Sequence, residues 1–199
     1  TECPPFIHVG YPKASSSWLQ RHLFQPDHEF VKIMGPFGAM RYLIDFPPFG
    51  FDPEPLAQYL QEPGGEGTDD VGGNVPVISA ENLTGNPFCG GQGAPEIADR
   101  LHACFPEARI LIIVREQRRM LRSLYTTMIR AGGMPHSLRR TLRPIASRTL
   151  PQFHPAFLRY DGLVGYYRRL FGPSGVKVLP AELLREDPAR FTEEVRRFA

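Results

Sequence analysis

The run Arg109-Ile-Leu-Ile-Ile-Val114 constrains the fold more than any other stretch of the chain. A strand with one face in water alternates apolar and polar residues, whereas an unbroken aliphatic run needs cover on both faces. Parallel sheets supply such cover, because their crossover helices pack on either side. Phe6–Gly10, Val75–Ala80 and residues 176–179 read as further short strands. Helical patterns lie between and after them: residues 94–105 space Ile97, Leu101 and Cys104 along one face, residues 118–131 run until Gly132-Gly133 stops them, and residues 160–170 form another amphipathic segment. Strands alternating with helices predict an α/β, three-layer fold with a central parallel sheet flanked by helices. Ligands in such folds sit at the carboxyl ends of the strands, so residues just past those ends carry the functional argument.

Two intervals stand apart. Residues 26–55 are rich in Phe, Pro and Gly, with one short helix near 39–44, and read as surface structure lining something; the phenylalanines there suit either an acceptor wall or core packing. Residues 63–74 interleave glycines with acids and read as a flexible loop.

Composition narrows the function classes. At 199 residues and 42% hydrophobic, the chain buries one core and not comfortably two, so positions 1–199 are expected to form a single domain. A formal charge of +2 gives no electrostatic case for wrapping a nucleic-acid polymer. No apolar run approaches the roughly 18 residues of a membrane helix, and no basic-then-apolar leader is present. Cys3, Cys89 and Cys104 are widely spaced and outside any CxxC arrangement, so neither a disulfide framework nor a zinc site is expected and the cytoplasm is the expected location. The histidines lack metal-ligand spacing, and no metal is expected. The chain starts at Thr1 and residues 191–199 read as a helix without a stop signal, so it reads as trimmed or as a fragment.

The first strand-to-helix junction, Gly10-Tyr11-Pro12-Lys13-Ala14-Ser15-Ser16-Ser17-Trp18, gathers an ammonium, three hydroxyls and unpaired helix N–H groups at one point. That is the composition of an anion site. One serine would suffice to cap the helix, and three in succession behind a lysine favour phosphate. The junction is not a Walker A loop, in which lysine stands immediately before the hydroxyl residue with glycines upstream. A second cluster follows the Arg109–Val114 strand: Arg115 at its end, then Arg118, Arg119, Arg122, Ser123 and Tyr125. Most arginines in such a place are simply solvated, but Arg115 stands at the crevice. A third strand end, Ser79-Ala80-Glu81-Asn82, offers a carboxylate that is either a general base or a cap or ion-pair partner.

The junction resembles the 5'-phosphosulfate loop of sulfotransferases that use 3'-phosphoadenosine 5'-phosphosulfate (PAPS), a pattern close to Y-P-K-S-G-T-T-W. Lys13, Ser16, Ser17 and Trp18 match in kind and position, while Ala14 and Ser15 replace serine and glycine. Arg115, Ser123 and Tyr125 match the 3'-phosphate pattern R-[DN]-P-x-x-x-x-x-S-x-Y, with Glu116-Gln117 at the positions of the acid or amide and the proline. Val176-Lys-Val-Leu-Pro-Ala-Glu182-Leu-Leu with Asp187-Pro188 is similar to the family's late strand and E-[DE]-L segment. The glycine-rich, basic closing loop of many members either lies beyond residue 199 or is lacking in this branch.

The resemblance implies a bacterial-type, P-loop-like sulfotransferase that moves the sulfuryl group of PAPS to a hydroxyl or amine of a carbohydrate or small-molecule acceptor and leaves adenosine 3',5'-bisphosphate (PAP). It implies a nucleotide site of Lys13, Ala14, Ser15, Ser16, Ser17, Trp18, Arg115 and Ser123. Lys13 would act on the bridging oxygen and 5'-phosphate, Arg115 and Ser123 on the 3'-phosphate, and Trp18 beside the adenine. Glu81 would be the catalytic base, with His28, His136 and His154 in reserve because many small-molecule members use histidine. Two rival readings remain: a P-loop nucleotide kinase or NTPase, and a non-catalytic nucleotide-binding module.

Overall fold

The computed structural model describes residues 4–47, 49–60, 72–130, 137–143 and 153–199. Cys3, His136, Gly132-Gly133, most of the 63–74 loop and positions 144–148 lie outside the described residues. Five strands, β1 (Phe6–Gly10), β2 (Phe30–Met34), β3 (Val75–Ala80), β4 (Arg109–Val114) and β5 (Val176–Pro180), form one sheet in the order β2-β3-β1-β4-β5. Every pairing is parallel, as the aliphatic β4 run requires. Residues 110–113 of β4 are fully buried, which fits a strand covered on both faces.

The connecting helices follow the apolar patterning. In chain order they are α1 (Ser16–Trp18, continued by a wider turn Leu19–Leu23), α2 (Pro36–Ala39, continued by a similar turn Met40–Ile44), α3 (Glu54–Tyr59), α4 (Ala94–Cys104), α5 (Gln117–Arg130), α6 (Leu138–Thr141), α7 (Tyr160–Phe171), α8 (Ala181–Glu186) and α9 (Pro188–Phe198). Asp187 caps α9 by accepting the Arg190 N–H at 3.0 Å, and Pro188 follows at the first helical position, where its missing N–H costs nothing. No described helix is long and apolar enough to cross a membrane.

The 26–55 interval is more ordered than its composition suggests. Residues 30–34 are not surface lining but an edge strand, in which only Lys32 is exposed. Phe30 is buried against Phe6 and Phe24, with ring centroids 6.0 and 5.5 Å apart, so that phenylalanine belongs to the core. Phe37 and Phe49 point the other way, at 81% and 102% exposure. The helix expected near 39–44 is present and begins earlier, at Pro36.

Candidate active site

Sheet register brings three strand ends together. β1 lies between β3 and β4, with Val9 opposite Ala80 and Gly10 opposite Ile113. The chain therefore leaves β1, β3 and β4 side by side, and these exits carry Lys13, Glu81 and Arg115. Because β1 connects onward to β2 on one side and pairs with β4 on the other, this edge is also the crevice where the strand order reverses.

The loop after β1 is tightly bent. The Ala14 N–H donates to the Tyr11 carbonyl at 3.1 Å, and Lys13 and Ser15 adopt left-handed φ values of 63° and 70°. Ser15 thus takes up the conformation that glycine supplies in the resembling pattern, at a steric cost of about 1 kcal/mol. It occupies the N-cap position of α1, yet its side chain makes no capping hydrogen bond. The serines are therefore not explained as caps. Ser16 is 1% exposed, and its hydroxyl has no partner of hydrogen-bond geometry among the described residues. It does lie close enough to the Glu81 carboxylate to favour the ionised form. A buried hydroxyl short of partners, beside first-turn N–H groups of a helix, has the donors that suit an anion's oxygens.

Beneath the loop the packing admits no side chain at Gly10, where a Cβ would stand 2.5 Å from Ser16 Oγ and 2.9 Å from His8 Cε1. His8 is fully buried, its Nδ1 2.9 Å from Ser79 Oγ, and Gln20 Nε2 donates to the same hydroxyl at 3.0 Å. Burial lowers the His8 pKa to about 3, so the ring under the loop stays neutral. This network packs the floor of the loop.

Arg115 reaches across to the loop: its Nη1 donates to the Lys13 carbonyl at 2.8 Å. Tyr160 Oη donates to the Arg115 carbonyl at 2.7 Å and anchors the strand end from the far side. Glu116 performs the capping task of the acid or amide in the resembling pattern. Its carboxylate accepts the N–H groups of Arg118 and Arg119, both at 2.9 Å, which holds its pKa below the ordinary carboxylate value. Its own N–H donates to Glu182 Oε1 at 3.1 Å, tying the late E-x-L segment to the site. Gln117 stands where proline is usual and uses its side-chain amide on the Leu158 carbonyl at 2.8 Å. Ser123 lies two turns into α5, half-buried. Tyr160 and Gln20 were not singled out from sequence, and Glu116 and Glu182 entered there only as positions in the resembling patterns; Glu116 also had a local signal, an acid directly before a helix.

Glu81 opens the short turn Glu81–Thr84 at the end of β3, half-buried and with no arginine partner among the described residues. Burial raises its pKa, while the Lys13 ammonium and the Ser16 hydroxyl pull it down. Glu81, Lys13 and Ser16, all named from sequence, are thus electrostatic neighbours. Of the reserve histidines, His28 precedes β2 at the amino end of the sheet, with Nδ1 2.9 Å from Arg196 Nη2. His154 uses Nδ1 to accept the Ala156 N–H at 3.1 Å. Trp18 packs edge-on against Phe191 at 6.4 Å and lines a groove of about 520 Å³ with Pro188, Ala189, Thr192 and Arg196.

No protein-family model matches the sequence, and no curated protein matches it. Solved structures do. A sulfotransferase from Alicyclobacillus acidocaldarius superposes with a TM-score of 0.66 at 23% identity, over 98% of this chain and 80% of that one. The chain has the sulfotransferase fold. A sulfotransferase domain from the curacin biosynthetic pathway matches with a TM-score of 0.56 at 14% identity, over 98% of this chain and 73% of that one. In the sulfotransferase fold of this chain, the Lys13 loop, the Arg115 strand end and Glu81 stand side by side at the carboxyl ends of β1, β4 and β3.

Proposed function

We propose that the chain is a sulfotransferase that uses PAPS as donor and a hydroxyl-bearing carbohydrate or small molecule as acceptor. The observation that carries this reading is the 2.8 Å bond from Arg115 to the Lys13 carbonyl, which joins the two sequence motifs for the 3'- and 5'-phosphate ends into one cleft. The residues fit the nucleotide: the Ser16 hydroxyl is buried and short of partners, the Lys13 ammonium has no ion pair among the described residues, and Trp18 borders a groove wide enough for a base. Such a donor supplies the sulfuryl group and leaves as PAP.

Each side chain then has a distinct task. The Lys13 ammonium and Ser16 and Ser17 hydroxyls neutralise charge on the 5' side, where negative charge grows as the bridging bond lengthens. Arg115 and Ser123 hold the 3' side and fix the orientation needed for an in-line approach. Glu81 accepts the proton of the attacking hydroxyl, and its burial keeps it basic enough to do so. The adjacent lysine favours its ionised form against that burial.

The kinase or NTPase reading calls for a strand-end aspartate to hold Mg²⁺, and the residues following β1, β2, β3, β4 and β5 are Tyr11, Gly35, Glu81, Arg115 and Ala181. Titration with PAP and with Mg-ATP separates the readings, followed by the fluorescence of Trp18, the only tryptophan in the chain. Saturable quenching by PAP is expected; a response to Mg-ATP alone would overturn the proposal. Transfer of radiolabelled sulfate from PAPS to a mixed acceptor panel then distinguishes an enzyme from a binding module.

A further inference from the structure

A second cavity begins one residue beyond Glu81. Asn82 lines a hollow of about 490 Å³ together with Met40, Asp45, Phe88, Gln92 and Glu96, a size that suits one or two sugar rings. Its walls are built. The first is the turn after α2, held by Arg100, which is 5% exposed and has no carboxylate partner among the described residues. Arg100 donates instead to the carbonyls of Leu43 at 2.8 Å and Phe46 at 2.9 Å, and its guanidinium lies 5.3 Å from the centre of the Phe51 ring. A buried cation that bonds only to main-chain carbonyls fixes the path of the backbone it holds. The second wall is the loop after β3. There Asn86 N–H donates to the Gln92 carbonyl at 2.9 Å, and Gly85, Gly90, Gly91 and Gly93 all have positive φ. At Gly85 a Cβ would collide with the carbonyl of Gly91, so this bend depends on glycine.

The lining has a definite chemistry. Asn82 and Gln92 bring amide donors and acceptors, and Asp45 and Glu96 bring acceptors with no ion pair among the described residues. The lining includes no lysine, arginine or histidine. Met40 and Phe88 add apolar surface at 39% and 40% exposure. Amides and carboxylates next to an aromatic ring match a molecule with many uncharged hydroxyls and one C–H face. The two exposed carboxylates, neither in an ion pair among the described residues, disfavour an anionic one.

We infer that this cavity is the acceptor site and that it selects neutral sugars, presenting one hydroxyl toward Glu81 and excluding acidic or phosphorylated sugars. The inference rests on the sulfotransferase reading of the neighbouring cleft. In the transfer, Glu81 takes the hydroxyl proton, the sugar oxygen bonds to sulfur, and the bond from sulfur to the 5'-phosphate oxygen breaks with release of PAP.

The test is sulfate transfer from PAPS to matched neutral glycosides, their 6-uronates, their 6-phosphates and their 2-amino counterparts, with PAP quenching of Trp18 measured in parallel. Neutral glycosides should exceed uronates and phosphates at least tenfold in kcat/KM. The double variant Asp45→Asn, Glu96→Gln should narrow that gap several-fold and leave the PAP quench unchanged. Loss of PAP binding in the unaltered protein defeats the nucleotide reading. Intact PAP binding with uronates or phosphates used as well as neutral sugars, with amino sugars rejected as strongly as uronates, with no sugar accepted, or with a gap that the double variant leaves unchanged, defeats the acceptor inference alone.

Discussion

The loop after β1 and the insert between β2 and β3 both hold irregular backbone at the edge of the same crevice, by opposite means. The loop stores strain: Lys13 and Ser15 sit at left-handed φ, a main-chain bond from Ala14 closes the bend, and Arg115 clamps the Lys13 carbonyl. The insert is held by one buried arginine spread over carbonyls at its turn, while Phe37 and Phe49 stand in water. Strain is tolerated where the surroundings over-determine the conformation, as at a site that must present charge in one geometry. A tether at one point fixes a path and leaves the side chains beyond it free to face different partners. On the proposed reading, the strained loop would set the reaction and the tethered insert the substrate.

The sharpest test of that division is to remove the reacting groups. Glu81→Gln should lower kcat by about 10²- to 10⁴-fold, and Lys13→Ala by about 10²- to 10³-fold, in a sulfate-transfer assay at saturating acceptor. Because burial raises the Glu81 pKa, the rate should fall as pH drops through a value above that of an ordinary carboxylate. Ser16→Ala removes a hydroxyl that lowers this pKa and should move the acid limb to higher pH. A limb that stays put, or falls at ordinary carboxylate pH, would show that the proton goes elsewhere.

Arg115→Ala comes next. Losing one charge-assisted contact should weaken PAP binding by about 1.5–3 kcal/mol, read by calorimetry or by Trp18 fluorescence. Arg115 also holds the Lys13 carbonyl, so kcat should fall as well. Ser123→Ala has no such link and should change affinity alone. Equal kcat in both variants would break the claim that the clamp positions the lysine.

How much of this was legible without coordinates follows the same line. β1, β3, β4 and β5 were readable because each is a short apolar run with a terminator next to it, which is local information. β2 was not: Phe30–Met34 sits in a Phe-, Pro- and Gly-rich interval, and its burial depends on Phe6 and on sheet pairing with Val75 and its neighbours. The site residues were readable by type and order, but their meeting was not, since the Arg115–Lys13 bond spans 102 positions and Glu81 arrives through strand register. Ser15 was legible as a replacement for the glycine of the resembling pattern, but the left-handed φ of 70° that it adopts was not.

The floor of the loop predicts a pH effect on stability distinct from the effect on rate. His8 has a folded pKa of about 3 against an ordinary value of 6.5, so the unfolded chain binds the proton first as pH falls. Stability from this group is complete above pH 6.5, declines by up to about 1.4 kcal/mol per pH unit below it, and levels off near pH 3. Urea unfolding between pH 7 and 4 should show that slope, and His8→Gln should flatten it. An unchanged slope in the variant would assign the acid sensitivity to other groups.

The smallest effect is the most direct probe of stored strain. Ser15 pays a steric cost for φ 70° that glycine does not, but glycine also gains conformational freedom in the unfolded chain, which offsets part of the relief. The net expectation for Ser15→Gly is a gain of no more than about 0.5 kcal/mol in unfolding free energy, with PAP affinity retained, because the anion's partners in this loop are the Lys13 ammonium, the neighbouring hydroxyls and main-chain N–H groups. Ser15→Val, β-branched at a left-handed position, should lose stability by at least as much. If glycine instead weakens PAP binding while raising stability, the Ser15 hydroxyl is itself a ligand. In that case the serine in place of glycine is part of how this loop holds its anion, and the contrast with the insert becomes one of direct contact as well as of strain.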